Sequence, residues 1–204
     1  MTGLFITLEG GDGSGKSTQQ RLLVQFLVEQ GRTVVESREP GGTDLGLELR
    51  EIILHRRGYI APRAEALIYA ADRAHNVATK VRPALEAGSV VVQDRYFDSS
   101  LAYQGAGRVL DADEVRGISL WATEGLLPDL TILLDLDPAI GRERVAGGAY
   151  DRLEEEEHDF HARVRDAYLV LAAAEEQRFL VLDATSAIDA LAAQIRDRVS
   201  ALLT

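Results

Sequence analysis

The chain has 204 residues, 46% of them hydrophobic, and carries 22 Lys and Arg against 33 Asp and Glu for a formal charge of −11. That is enough chain to bury a substantial core as one domain, 1–204, and its negative charge opposes binding to nucleic acid or to an anionic membrane. No apolar stretch approaches the roughly 20 residues that span a bilayer, no cysteine is available for disulfides or thiolate metal sites, and a cytoplasmic protein is expected.

Residues 4–8 form the first apolar run, and after Glu9 the chain reads Gly10-Gly11-Asp12-Gly13-Ser14-Gly15-Lys16-Ser17. This complete G-x-x-x-x-G-K-[ST] string lies between a strand and a helix, the setting of a phosphate cradle. Its glycines let successive N–H groups converge on one phosphate chain, and the positive end of the new helix adds to them. Lys16 is placed to reach the β- and γ-phosphates of a nucleoside triphosphate, and Ser17 to offer a hydroxyl to its Mg2+. Leu22, Leu23, Phe26 and Leu27 then mark the buried stripe of a first helix, which Gly31 ends.

A second strand over residues 33–36 runs into Ser37-Arg38-Glu39-Pro40-Gly41-Gly42-Thr43, an arginine at a strand's carboxyl end followed by a rigid turn. Residues 64–87 read as one long helix or two, with Pro83 tolerated only near a break or kink. A third strand over 90–93 leads to Asp94-Arg95-Tyr96. On the ligand side of a parallel sheet, Asp94 suits Mg2+ through water, and Arg95 can make two parallel hydrogen bonds to a phosphate. Strands over 130–136 and 179–182 follow, with a helix starting at Pro138 and an acidic run, 154–157, that opens a helix over 159–176. The last helix carries Ile188, Leu191, Ile195, Val199 and Leu202 on one stripe. Strands alternating with helices, each strand apolar nearly throughout, give an α/β protein with a doubly wound five-stranded parallel sheet and helices on both faces.

Together these motifs resemble the thymidylate kinase family. The likeness rests on Glu9-Gly10-x-Asp12-Gly13-x-Gly15-Lys16-Ser17-Thr18-Gln19, Arg38-Glu39-Pro40-Gly41-Gly42-Thr43, Ala70-Ala71-Asp72-Arg73, Asp94-Arg95-Tyr96-x-x-Ser99-Ser100-x-Ala102-Tyr103-Gln104-Gly105 and Asp151-Arg152-Leu153-Glu154. It implies a P-loop NTPase fold with a small lid, a homodimer, and Mg2+-dependent transfer of the ATP γ-phosphate to dTMP. By that resemblance ATP lies against Gly10, Gly11, Asp12, Gly13, Ser14, Gly15, Lys16, Ser17 and Thr18, with Ser17 and Asp94 at the metal. The same resemblance puts Asp12 at the 3′-hydroxyl of dTMP, Arg38 and Arg95 at its phosphate and Arg73 at the thymine edge. Tyr69 would stack on the base and Tyr103 lie beneath the sugar, with Ser100 and Gln104 near the base and Pro40 and Ser99 completing the acceptor site.

The resemblance places the lid at about residues 142–154, where Gly147-Gly148 suits a hinge. One branch of the family has a catalytic arginine in the phosphate loop and another has it in the lid. Gly13 occupies the loop position, so this chain resembles the lid type. Arg152 is expected at the transferring phosphate, acting with Lys16, Asp94 and Arg95, and Arg144 on the ATP side; separately, residues 183–185, after the last strand, look like the adenine-side loop. The competing readings are a kinase for another pyrimidine nucleotide or deoxynucleoside and a non-catalytic nucleotide switch. No N-K-x-D guanine signature occurs, which counts against a GTPase.

Overall fold

A computed structural model of the chain describes residues 3–56, 58–146 and 151–203. Its strands are β1 (Leu4–Glu9), β2 (Val34–Arg38), β3 (Val90–Asp94), β4 (Leu130–Asp135) and β5 (Phe179–Asp183). They pair in the order β2-β3-β1-β4-β5, every pairing parallel, so the sheet expected from the sequence is the one that forms. From β1 the chain goes to the edge strand β2 and back inward to β3, then crosses to β4 and β5 on the other side, and this reversal between β3 and β1 leaves a crevice beyond their carboxyl ends. Arg38 and Leu8 both pair with Asp94, so β1, β2 and β3 end level at that crevice. Arg38 is therefore the last residue of a ladder, two positions beyond the strand end read from the sequence.

The α-helical segments are α1 (Lys16–Glu29), α2 (Asp44–Arg50), α3 (Pro62–Asn76), α4 (Arg82–Glu86), α5 (Phe97–Ser100), α6 (Ala112–Ala122), α7 (Pro138–Val145), α8 (His158–Ala174) and α9 (Ile188–Ser200). On one face of the sheet, Ile6, Leu8, Val92 and Ile132 pack against Leu23 and Leu27 of α1 and Leu191, Ile195 and Val199 of α9. Leu202 lies beyond the end of α9 and still packs on this cluster. On the other face Phe5 and Val91 meet Val77, Val81, Tyr96 and Val115, while Leu133 meets Val164 and Tyr168 of α8. Alternate residues of the central strands β1, β3 and β4 are buried on opposite faces, which is why those strands read as nearly continuous apolar runs.

The stretch around Pro83 is unbroken: α3 passes through a π-helical turn, Val77–Val81, directly into α4. Pro83 follows this π-helical turn by two residues, and such a turn is where an uninterrupted helix can absorb a missing N–H. Another π-helical segment, Leu101–Gly107, continues α5 and carries Tyr103 and Gln104. The hinge expected at Gly147-Gly148 lies outside the described residues.

Candidate active site

The phosphate loop begins where the β1 ladder stops. Gly15, at φ 94, occupies the residue before α1; a Cβ there would meet nothing within 4 Å, so the dihedral and not space demands glycine. Gly13, at φ 73, packs backbone to backbone on α7, where an added Cβ would lie 2.6 Å from the Gly141 carbonyl oxygen. Lys16 Nζ donates to the carbonyls of Gly10 (3.1 Å) and Gly11 (2.8 Å). Burial lowers the Lys16 pKa and Arg95 pushes the same way, against the pull of Asp94 and Asp12. Ser14 is buried, its hydroxyl without a partner among the described residues, and Gly10 and Gly11 line a small cavity of about 60 Å³ between the loop, α7 and α8.

Arg95 stands at the centre. It is a non-glycine residue at φ 64, held by a hydrogen bond from its N–H to the Leu8 carbonyl. Its guanidinium donates to Asp12 Oδ1 at 2.6 Å and Ser99 Oγ at 3.4 Å, and its Cζ lies 5.0 Å from the centre of the Tyr103 ring. Burial works against the Asp12 carboxylate, but the charges of Arg95, Lys16 and His161 outweigh it and hold its pKa below the ordinary value. Behind Arg95, Glu9 Oε2 accepts from Ser99 Oγ (2.6 Å) and Tyr168 Oη (2.8 Å), and Oε1 from the Tyr96 N–H (2.7 Å). Burial, reinforced by Asp98, raises Glu9 to about 7.

A second buried network fixes Arg73. Its guanidinium donates to Glu39 Oε2 (2.8 Å), to the Tyr96 carbonyl and to the hydroxyls of Ser100 and Ser119, while Asn76 and Gln93 donate to Glu39 Oε1. Burial raises Glu39 to about 7 although Arg73 pulls it down.

These groups surround a cleft of about 530 Å³. The loop contributes Asp12, Gly13, Gly15, Lys16, Ser17 and Thr18, and the β2 end Arg38 and Pro40. From α3 come Tyr69 and Arg73, and from the β3 end and the helix after it Asp94, Arg95, Ser99, Ser100, Tyr103 and Gln104, with Arg144 of α7 opposite. Tyr69 and Tyr103 serve both cleft and core, since both belong to the cluster around Ile53 and Phe160. Six cationic side chains and five carboxyl groups line the cleft, so the arginines offset locally the charge of −11 on the whole chain.

Arg144 donates to the carbonyls of Gly13 and Ala184, which puts it between the phosphate loop and the 183–185 loop. Arg152 departs from expectation. It is not among the cleft-lining residues: Nη2 donates to Glu65 (2.6 Å) and Nε to the Ile53 carbonyl (2.9 Å), which ties it to the wall beneath α3. Glu65 is fully buried and holds Arg152 together with Arg108 and Gln104.

Sequence reasoning gave no role to Glu9, Glu39, Glu65, Arg50 or Tyr168. Arg50 lines the cleft and donates to the Pro40 carbonyl (3.0 Å). The spacing of Glu65, Tyr69 and Arg73, four residues apart on one helical stripe, is the signal that could have found Glu65. For a metal, Asp94 Oδ1 is the telling atom, a buried carboxylate oxygen with no hydrogen-bond partner among the described residues. No cluster of three or more metal-ligating side chains occurs among the described residues.

Comparison with known proteins matches residues 8–195 to the family described as Thymidylate kinase. The chain is 70% identical over 199 residues to the thymidylate kinase of Leifsonia xyli subsp. xyli, covering 97% of this chain and 94% of that one. It is 67% identical to the thymidylate kinase of Clavibacter sepedonicus, covering 100% and 97%. The solved structure of thymidylate kinase from Ehrlichia chaffeensis superposes with a TM-score of 0.80 at 28% identity, over 98% of this chain and 99% of that one.

Proposed function

The chain belongs to the thymidylate kinase family, and on that premise we propose that it transfers the γ-phosphate of ATP to dTMP, giving ADP and dTDP for dTTP synthesis, in the cytoplasm and as a homodimer. We read residues 1–204 as one kinase domain with its lid at about 142–154. The observation that carries the reading is the 2.6 Å contact between Arg95 and Asp12, which joins the phosphate loop to the arginine that ends β3. Donor and acceptor sites so joined share one wall, and phosphoryl transfer requires its two anions to meet in line.

Main-chain N–H groups of the loop and Lys16 hold the donor phosphates, and Arg144 covers the adenine side. Arg38 and Arg95 hold the acceptor phosphate, and Asp12, an acceptor only, takes the hydrogen bond of the 3′-hydroxyl. Tyr69 stacks on the base. Ser99 and Glu9 keep the Arg95 fork aimed, so little reorganisation is needed as charge spreads over the transferring group. Asp94 and Ser17 fit Mg2+, which when bound neutralises phosphate charge. Arg152 anchors the lid instead of touching phosphate. The homodimer is supported by an apolar groove between α3 and α6, where Ala66, Leu67, Val115 and Ile118 meet and Leu67 is 56% exposed.

The test is kcat/KM with ATP and Mg2+ for dTMP, dUMP, dCMP, the ribose analogue of dTMP, and thymidine. dTMP should lead, with dUMP below it by roughly the 1–3 kcal/mol a methyl group contributes in an apolar pocket. A preference for thymidine, which has no phosphate, would refute the acceptor site, and ATP binding without turnover of any pyrimidine monophosphate would favour a switch.

A further inference from the structure

Glu65, in the first turn of α3, is a fully buried carboxyl group facing three donors. Its Oε2 takes Arg152 Nη2 at 2.6 Å, Arg108 Nε approaches both oxygens at 3.3 Å, and Oε1 takes the amide nitrogen of Gln104 at 2.9 Å. Flanked by two guanidinium groups, this carboxylate can only accept, so the Gln104 amide has one permitted orientation, NH2 toward Glu65. With its NH2 given to Glu65, the opposite end of that amide, Oε1, is the end left for a ligand, and Gln104 lines the cleft one residue from Tyr103 and near Tyr69. A side-chain amide is otherwise ambiguous, since either end can face a ligand.

We infer that Glu65 is a specificity-determining positioning residue: by fixing the Gln104 amide it presents a lone acceptor to the acceptor base and so selects pyrimidines that carry an N3–H. Thymine and uracil have that donor. Cytosine has a lone pair at N3, which would face the Gln104 oxygen and leave both unpaired. Arg73 acts in the same sense, being a donor only, and suits the 4-oxo group of thymine better than the 4-amino group of cytosine. The inference rests on dTMP being the acceptor. Glu65 also holds Arg152, so the lid anchor and the base-reading amide depend on a single carboxyl group.

In Glu65→Gln the single carbonyl oxygen goes to the arginines, where the shortest contact lies, and the new NH2 faces Gln104. That amide must then turn its oxygen inward and its NH2 toward the base. The ratio of kcat/KM for dTMP to that for dCMP should fall by about tenfold or more, through a loss with dTMP and a gain with dCMP, as expected for a reversed hydrogen bond. Arg108→Gln strips a guanidinium from the same carboxylate but leaves Oε1 to Gln104; it should lower Tm and keep the ratio. An unchanged ratio in Glu65→Gln, or an equal fall in Arg108→Gln, overturns the inference. If the wild type does not phosphorylate dTMP, the functional reading itself fails. Should Glu65→Gln not fold, Glu65→Asp keeps the charge between the arginines, withdraws the oxygen from Gln104, and should lower the ratio likewise.

Discussion

Replacing Arg95 by alanine and by glycine separates two things this residue does. At φ 64 it holds a left-handed conformation that costs an L-residue about 1–2 kcal/mol. Both substitutions remove the guanidinium, and with it the Asp12 ion pair and the contact with the Tyr103 ring. Only glycine also removes the backbone strain, and its extra freedom in the unfolded chain takes back about 0.5–1 kcal/mol of that gain. Arg95→Gly should therefore be more stable than Arg95→Ala by up to about 1 kcal/mol in urea unfolding. In activity the two should be alike. Losing an arginine from the phosphate costs on the order of 10³-fold or more in turnover, read as kcat/KM for dTMP in a coupled ADP assay, while the KM for ATP changes little. A glycine variant less stable than the alanine variant would show that the backbone at 95 is unstrained. Near-normal dTMP kinetics in either would remove Arg95 from the acceptor site.

Glu9 should make stability depend on pH. Its folded value of about 7 lies above the ordinary 4.5, so protonation favours the fold: this contribution is complete below about pH 4.5 and is lost as pH rises through about 7. The loss amounts to about 3 kcal/mol, and Glu9→Gln should remove that share of the slope between acid and alkaline unfolding curves; coincident slopes would acquit Glu9. Gly141→Ala places a Cβ 2.5 Å from the Asp12 carbonyl oxygen, so the phosphate loop or α7 must shift, and KM for ATP should rise with a stability cost of about 1–3 kcal/mol. Unaltered ATP kinetics would contradict that close approach. Leu67→Glu puts a charge into the groove between α3 and α6 and should halve the mass seen by light scattering, whereas a retained dimer mass would locate the interface elsewhere.

The sheet was legible because burial on both faces leaves a simple mark: strands such as 130–134 are apolar at nearly every position, and helical stripes lie between them. The phosphate loop was legible because glycines at defined spacings have few other uses. Strand ends pointed to Arg38 and Arg95, and the family resemblance to Tyr69 and Tyr103, and all four line one cleft. What escaped notice was the support behind them. Glu9, Glu39 and Glu65 read locally as ordinary acidic residues, and only the fold discloses that each lies buried against partners 34 to 159 residues away, among them Arg73, Arg108 and Tyr168. The partner of Arg152 was hidden for the same reason: it is held by Glu65, a buried carboxyl group on another helix.

The central claim is that the phosphate loop and the arginine-tipped strands hold donor and acceptor across one shared wall. A crystal structure with dTMP and a non-hydrolysable ATP analogue tests it most directly. The account predicts the acceptor phosphate on Arg95 and Arg38, the base against Tyr69, and the donor phosphates on the 10–17 loop. A dTMP molecule bound away from Arg95 and Tyr69 would contradict it.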